Sequence, residues 1–488
     1  MKRVLLLHAP ATSASQLPAL RAHTISITTL GCRVNQSESE ALAAQFHRAG
    51  YRMLPEGSPA DVVIVNSCTV THVADKKSRQ MLRRAARAAR RGGIVVLMGC
   101  YAEMVQRPER RGELTALIQD CEQDGTRTII VPRRDRERVF ELVEQALAGA
   151  PPELMPDEPA VDTLPDHPDQ LVPIVPLTDL RAPARPPFLR TRALVKVQDG
   201  CDRACAFCIV PRARGRAVSK PVEQVLEEIR QLVAEGVQEV VLTGVSLGDY
   251  GRDWAPNRHG PSVLADLICR ILEETEVPRV RLSSINPMEF DLRVAELLGY
   301  PRVCRHLHLP LQSGSDRILA LMRRRHTVAD YRIIVETARR AAPDVAVAAD
   351  VIAGFPGETP EDHRRTLELV EELALADLHV FPFSPRRGTA AALSPEQVPE
   401  EEKRRRSHEL LELKARLRER YLRSQLGSVQ PVLFEQRSGT VWEGVTDTYI
   451  RVYVASDQPL MNTIRPVRLI APERDGARGE LVAAGACP

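Results

Sequence analysis

Between Leu189 and about Ala392 one pattern recurs six times: a short run rich in β-branched residues, a loop of small and polar residues, and an amphipathic helical stretch. The runs are "RALVKVQ", "EVVLTG", "RVRLSS", "CRHLHLPL", "VAVAADVIAG" and "LHVFPF". Strands that alternate with helices pair in parallel, because a helical crossover returns the chain to the edge from which the next strand starts. Eight such units close a barrel with about 250 residues, so six units in about 200 residues predict an incomplete, open one. Functional groups in such folds gather on the loops at the carboxyl ends of the strands.

The same grammar appears in shorter form upstream. From Thr24 to Gly149, "TISITTLG", "DVVIVNS" and "GIVVLMG" each end in a small residue and are separated by amphipathic stretches, which predicts a separate parallel α/β sheet. Proline recurs every few positions from Ala150 to Phe188, so this segment reads as an extended linker. After a charged helical stretch around "PEEEKRRRSHELLELKARLRERYLRSQLG", five short alternating runs, "VLFEQ", "GTVWEGV", "YIRVYVA", "TIRPVRLI" and "GELVAAG", predict a small closed β-barrel. The expected organisation is a multidomain α/β protein: a sheet domain over 22–149, a linker over 150–188, a partial six-unit barrel over 189–420 and a small β-barrel over 424–488.

Cys201, Cys205 and Cys208 lie together in "CDRACAFC", directly after the first strand of the central barrel, so their loop opens onto its functional rim. Thiolate-rich sites select zinc or iron-sulfur clusters. A structural zinc ion takes four protein ligands, and C-x3-C-x2-C offers three. On a 4Fe-4S cluster three thiolates leave one iron open to a non-protein ligand, and the amine and carboxylate of S-adenosylmethionine fill such a position in radical enzymes. The alternative is a zinc site completed from elsewhere, for example by His306 or His308.

A second set is dispersed. Cys32, Cys68 and Cys100 each follow one of the three N-terminal apolar runs, separated by 36 and 32 residues, about one βαβ unit each. Parallel strands end on one edge of a sheet, so three cysteines in phase can converge on one ligand. Cys121, Cys269, Cys304 and Cys487 lack this phasing and read as packing or incidental thiols.

"CDRACAFCIVPRARGR" resembles the core signature of the radical S-adenosylmethionine methylthiotransferases, and the resemblance runs from Thr24 to the C-terminus. It implies two 4Fe-4S clusters as well as S-adenosylmethionine. Cys201, Cys205 and Cys208 would hold the cluster at which a carbon radical is generated. Cys32, Cys68 and Cys100 would hold an auxiliary cluster presenting the sulfur to be inserted. The rim loops would bind S-adenosylmethionine, through Gly244, Ser284 and Gln312, with Ile352 and Gly354 near the adenine. One departure is visible: "SPRRGT" places Arg387 where the family has a turn proline. The terminal β-barrel resembles the TRAM module, an RNA-binding domain.

"TLGCRVNQSESE" with "NSCTVTHVADKKSRQ" is similar to the branch that acts on N6-threonylcarbamoyladenosine beside the tRNA anticodon. The resemblance implies methylthio insertion at C2 of that adenine, the anticodon stem-loop as partner, and an electron donor such as flavodoxin or ferredoxin. Alternatives are the isopentenyladenosine branch, the branch modifying a ribosomal-protein aspartate, and a non-catalytic, metal-bound RNA-binding protein.

The formal net charge of +3 is mild for 488 residues, so any nucleic-acid footprint must be local. "DKKSRQMLRRAARAARRGG" has no acid after Asp75, and on a helix it sets Arg79, Arg83, Arg87 and Arg90 on an outer stripe that could grip phosphates. The terminal segment from Ser424 carries six arginines and seven acids, so RNA binding there needs a local face around Arg437, Arg451, Arg465 or Arg468, with Tyr449 or Trp442 stacking. The apolar run Val4 to Leu7 is shorter than the roughly 7 to 15 residues of a signal-peptide core, and no stretch approaches the ~20 apolar residues of a membrane span. A cytoplasmic protein without membrane contact is expected.

Overall fold

The computed structural model describes residues 23–122, 125–151, 154, 191–256, 258 and 260–482. The leader up to residue 22, nearly all of the proline-rich segment 150–188 and Cys487 lie outside the described residues.

The first sheet contains β1 (Thr24–Thr29), β2 (Arg52–Leu54), β3 (Ala60–Ser67), β4 (Ala89–Gly99) and β5 (Arg127–Ile130). All pair in parallel, in the order β2-β1-β3-β4-β5. Helices α1 (Arg33–Arg48), α2 (His72–Ala88), α3 (Cys100–Val105), α4 (Arg111–Cys121) and α5 (Val139–Leu147) cover it. Val62 and Ile64 pack with Leu42, Phe46 and Leu142 on one face, while Val63 and Val65 pack with Leu82 and Leu117 on the other. Burial on both faces is why these strands read as continuous apolar runs. The sequence pattern singled out β1, β3 and β4; the short flanking strands β2 and β5 were not expected.

The six expected barrel strands all form: β6 (Arg192–Lys196), then, after the two-residue ribbon β7 (Gln198–Asp199) and β8 (Val218–Ser219), β9 (Glu239–Thr243), β10 (Arg279–Leu282), β11 (His306–His308), β12 (Ala346–Ala353) and β13 (Asp377–Pro382). Their helices are α6 (Val210–Arg214), α7 (Val222–Ala234), α8 (Leu264–Glu274), α9 (Leu292–Glu296), α10 (Asp316–Leu321), α11 (Val328–Ala341) and α12 (Pro360–Glu372). The ladders β6-β9-β10 and β11-β12-β13 are joined by isolated bridges, Val280 to Val303 and Ser284 to His308. Among the described residues no ladder joins β6 to β13, so the barrel is open there. The first domain spans the gap. Ser37 of α1 donates to the Leu194 carbonyl on the β6 side (3.3 Å), and the His72 amide donates to Ser384 beyond β13 (3.3 Å).

Helix α13 (Glu400–Gln425) leads into a closed barrel of β14 (Val429–Ser438), β15 (Val441–Thr446), β16 (Arg451–Ala455), β17 (Ile464–Glu473) and β18 (Gly476–Leu481). It docks on the amino-terminal foot of the central barrel. Fully buried Glu239 accepts from both Arg279 and Arg281, and these arginines carry on to the carbonyls of Pro431 (3.2 Å), Thr446 (3.1 Å) and Asp447 (2.9 Å). Burial opposes ionisation of Glu239, but the two guanidiniums outweigh it and hold its carboxyl down at about 2. Tyr449, at a left-handed φ of 73°, stacks on His306 with ring centroids 4.8 Å apart. Its hydroxyl accepts from Arg33 (3.1 Å) and Arg192 (3.3 Å).

This docking corrects the expected stacking residues, while Arg437, Arg451, Arg465 and Arg468 remain exposed. Tyr449 is committed to the barrel foot, and Trp442 lies in the small barrel's core with its indole N–H donating to the Ser456 carbonyl. The arginine stripe on α2 is also corrected, because tertiary structure brings acids that the local sequence lacks. Arg79 pairs with Glu113 (3.0 Å), Arg83 with Asp120 (2.9 Å) and Arg90, which belongs to β4, with Asp61 (3.3 Å).

Candidate functional site

Cys201, Cys205 and Cys208 occupy the loop bracketed by β7 and β8. Gly200 turns the chain at φ 70°, where a Cβ would collide with the Arg216 carbonyl. The Cys201 amide donates to the Gly215 carbonyl (3.0 Å) and closes the loop. The amides of Arg203 and Val210 point at the sulfurs of Cys201 and Cys208, each at 3.4 Å. Such N–H···S bonds stabilise thiolate charge and tune a bound cluster.

Cys32, Cys68 and Cys100 follow β1, β3 and β4, which are adjacent and parallel, so the three stand at one carboxyl edge. Cys32 caps α1, and Cys100 opens α3. Gly31, at φ 107°, lies so close to Cys68 that an added Cβ would sit 3.0 Å from its Cβ and 3.2 Å from its sulfur. Asn35 fastens the loops by donating to the carbonyls of Leu30 (3.0 Å) and Ser67 (2.9 Å) and to Asn66 Oδ1 (3.1 Å). Ser78 holds Cys68 through both its amide (3.2 Å) and its carbonyl (2.8 Å).

The two trios meet. Ile209 and Ala213, from the segment that follows Cys208, pack with Cys100 and Met104. Arg214 sits between the sets, buried, with Nε 3.3 Å from the Cys100 sulfur and its other nitrogens on Glu38 (3.0 Å), Asp199 (2.8 Å) and Asn35 (2.7 Å). Burial disfavours charge at Glu38, yet Arg214, Arg136 and Lys196 pull its carboxyl down to about 2. Burial pushes the Cys68 thiol up to about 11 and the Cys208 thiol up to about 12. Metal ligation must therefore displace protons from both sets.

Among the described residues the sulfurs of neither trio all lie within 4.8 Å of one another. A tetrahedral zinc with bonds of about 2.3 Å needs sulfurs about 3.8 Å apart. His308, offered as a fourth zinc ligand, has both ring nitrogens engaged, with Ser284 (2.6 Å) and Asp350 (2.8 Å), and His306 stacks on Tyr449 at the opposite end of the barrel. Each trio thus offers three thiolates without either histidine to complete a zinc site.

The proposed S-adenosylmethionine contacts divide. Ile352 packs with Ala206 of the cysteine loop and with Phe355 and Phe383. Ser284 is held by His308, and the backbone of Gln312, at φ 70°, pairs with β12. A Cβ on Gly244 would meet Gln198 at 3.0 Å, and one on Gly354 would collide with Lys403 of α13. The space glycine leaves at those two positions is therefore filled by protein. The Arg386–Thr389 turn closes without proline, because Thr389 donates to the Arg386 carbonyl through both its amide (3.0 Å) and its hydroxyl (2.7 Å).

Sequence reasoning did not bring two polar groups together. Beside Cys201, Ser246 donates to Glu289 (2.8 Å), and Arg203 pairs with Asp249; the second oxygen of Glu289 is buried without a partner, and burial pushes this carboxyl up to about 7. His308, Asp350 and His379 meet on neighbouring strands, with Asp350 Oδ1 accepting from both rings at 2.8 and 3.1 Å. His379 is exposed. His308, Asp350 and His379 lie 42 and 29 positions apart in sequence, with no spacing that marks them as a set.

Residues 195–370 match the Radical SAM superfamily, and residues 24–116 match the Uncharacterized protein family UPF0004. The chain is 34% identical over 453 residues to the threonylcarbamoyladenosine tRNA methylthiotransferase MtaB of Bacillus subtilis, covering 92% of this chain and 94% of that one. It is 33% identical to the tRNA-2-methylthio-N(6)-dimethylallyladenosine synthase of Akkermansia muciniphila, covering 91% and 95%. Among solved structures, the radical S-adenosylmethionine methyltransferase TsrM from Kitasatospora setae superposes with a TM-score of 0.51 at 15% identity over 76% of this chain and 77% of that one, a likeness of fold.

Proposed function

The chain belongs to the radical S-adenosylmethionine methylthiotransferase family, and from that membership we propose that it adds a methylthio group to C2 of N6-threonylcarbamoyladenosine beside the tRNA anticodon. The observation that carries this reading is the meeting of two cysteine trios across Arg214. Cys201, Cys205 and Cys208 would hold one 4Fe-4S cluster, and Cys32, Cys68 and Cys100 the other. Bound there with S-adenosylmethionine, the clusters supply one-electron cleavage of the sulfonium and the sulfur to be inserted.

The chain's own residues set the geometry. Asn35 and Ser78 fix the loops carrying Cys32 and Cys68, and Arg214 neutralises the buried acids between the sets while donating to Cys100. Ile352, with Ala206, offers an apolar wall beside the central trio suited to an adenine face. Asp350 orients His308 and His379 in the barrel. The second ring nitrogen of exposed His379 supports the threonylcarbamoyl substrate over an isopentenyl one, because a hydrogen-bonding group left unpaired against a hydrocarbon rejects it.

We assign the sulfur site to 22–149, the radical to 189–420 and a TRAM-like barrel to 424–488. A low-potential donor such as flavodoxin or ferredoxin would supply electrons. Among the described residues no helix is long and apolar enough to cross a membrane, and we place the enzyme in the cytoplasm with its tRNA. Nucleoside analysis of tRNA from cells lacking the gene tests the substrate: methylthiolated threonylcarbamoyladenosine should disappear and return on complementation. Its unchanged presence, with loss of the isopentenyl counterpart, would overturn the substrate assignment.

A further inference from the structure

Four arginines gather where the first domain meets the mouth of the central barrel, and the catalytic reading does not use them. Arg386 lies beyond β13, only 5% exposed. One terminal nitrogen donates to Thr69 (2.8 Å), which follows Cys68, and to Asp75 (2.9 Å). Its Nε and other terminal nitrogen are buried with no partner. Asp75 is shared with Arg110 at 3.4 Å, so its single charge does not neutralise Arg386.

Around this buried group stand Arg107, Arg212 and exposed Arg387. Arg107 donates to the Arg212 carbonyl (3.1 Å), and the Arg212 guanidinium lies against Gly388, next to Arg387, which ties the segments carrying the four together. Among the described residues none of these three has a carboxylate within ion-pair distance, in a protein where the α2 stripe is largely paired. Buried guanidinium N–H groups without acceptors are costly, and a site that keeps them is built for an anion that arrives from outside.

We propose that Arg107, Arg212, Arg386 and Arg387 form an oxyanion-binding patch that seats the substrate RNA at the barrel mouth, with Arg386 as its innermost donor. This rests on the tRNA reading above. Two oxyanions on such a substrate share the required chemistry: a backbone phosphodiester and the carboxylate of the N6 substituent. The patch lies between the Cys68 loop and the Cys208 loop, where the target nucleotide must be held.

The test uses the anaerobically reconstituted full chain and two anticodon stem-loop RNAs, one carrying N6-threonylcarbamoyladenosine and one plain adenosine, with Kd measured by fluorescence anisotropy across a salt series. Arg212→Gln and Arg387→Gln should each reduce the slope of log K against log salt by about 0.7, the value for one phosphate contact on single-stranded RNA. Arg386→Gln should weaken binding about 10-fold or more. A loss equal on both RNAs assigns Arg386 to a phosphodiester; a loss confined to the modified RNA assigns it to the carboxylate. Lys76→Gln/Lys77→Gln/Arg84→Gln on exposed α2 serves as comparison. If the patch variants keep wild-type affinity and slope while the wild type binds and methylthiolates tRNA, the patch is refuted and the enzymatic reading stands. If the wild type binds neither RNA, both fall. Should Arg386→Gln lose its visible cluster absorption, the Arg212→Gln and Arg387→Gln variants still decide.

Discussion

At the scale of single residues, the site depends on side chains that hold others in place. Replacing any one of the six proposed cysteine ligands by Ala should reduce bound iron from about eight to about four per chain, since each trio serves one cluster. Iron and acid-labile sulfide analysis reads this, and retention of all the iron in a Cys68→Ala chain would exclude Cys68 as a ligand. Arg214 carries a second consequence. Arg214→Gln leaves Glu38 and Asp199 short of their principal counter-charge in a buried setting, a change that costs about 3–5 kcal/mol. His379→Leu removes a polar group facing the barrel, so kcat/KM on threonylcarbamoyladenosine-containing tRNA should fall about 10-fold or more without loss of cluster content.

Elements supply the rigidity that these residues need. Thr359 and Asp362 form a capping box at the start of α12, with Pro360 in its first turn, as "TPED" suggests. Asp362 also accepts from Ser315 (2.6 Å) and from Arg317, tying the "QSGSD" loop to α12. Thr359→Ala should therefore cost about 1 kcal/mol, the loss of a cap. Asp362→Ala should cost more, and denaturation midpoints of the two variants measure the difference. The strand ends tell a similar story for Cys32, Cys68 and Cys100. In-phase cysteines were legible because each strand is a continuous apolar run with a clear end. Asn35 and Ser78 were not, because the loops they fasten are distant in sequence.

Across the whole molecule, the small barrel and the central barrel are joined by a buried charge cluster, which makes their union sensitive to acid. The Glu239 carboxyl titrates at about 2 in the folded chain against an ordinary 4.5, held down by Arg281 and Arg279 against burial. Its contribution is fully present above about pH 4.5 and is lost as pH falls toward 2. Thermal melts should show Glu239→Gln less stable than wild type at neutral pH, with the gap closing through that window. A gap independent of pH would mean that the Glu239 charge contributes nothing to docking. Tyr449 belongs to the same junction: it was read as a base-stacking residue, but it fills the barrel foot between His306 and three guanidiniums.

The sequence by itself determined the six-strand open barrel, the parallel sheet before it, the small barrel after it and the placing of Cys32, Cys68 and Cys100 at strand ends, because each follows from local periodicity and from where a strand ends. Tertiary structure alone decided which charges are free. Arg79 and Arg83 look unopposed along the chain until α4 delivers Glu113 and Asp120, whereas Arg386 looks ordinary until folding buries it with two donors unfilled. Coulomb forces and desolvation act through space between residues hundreds of positions apart, and no window along the chain records that proximity.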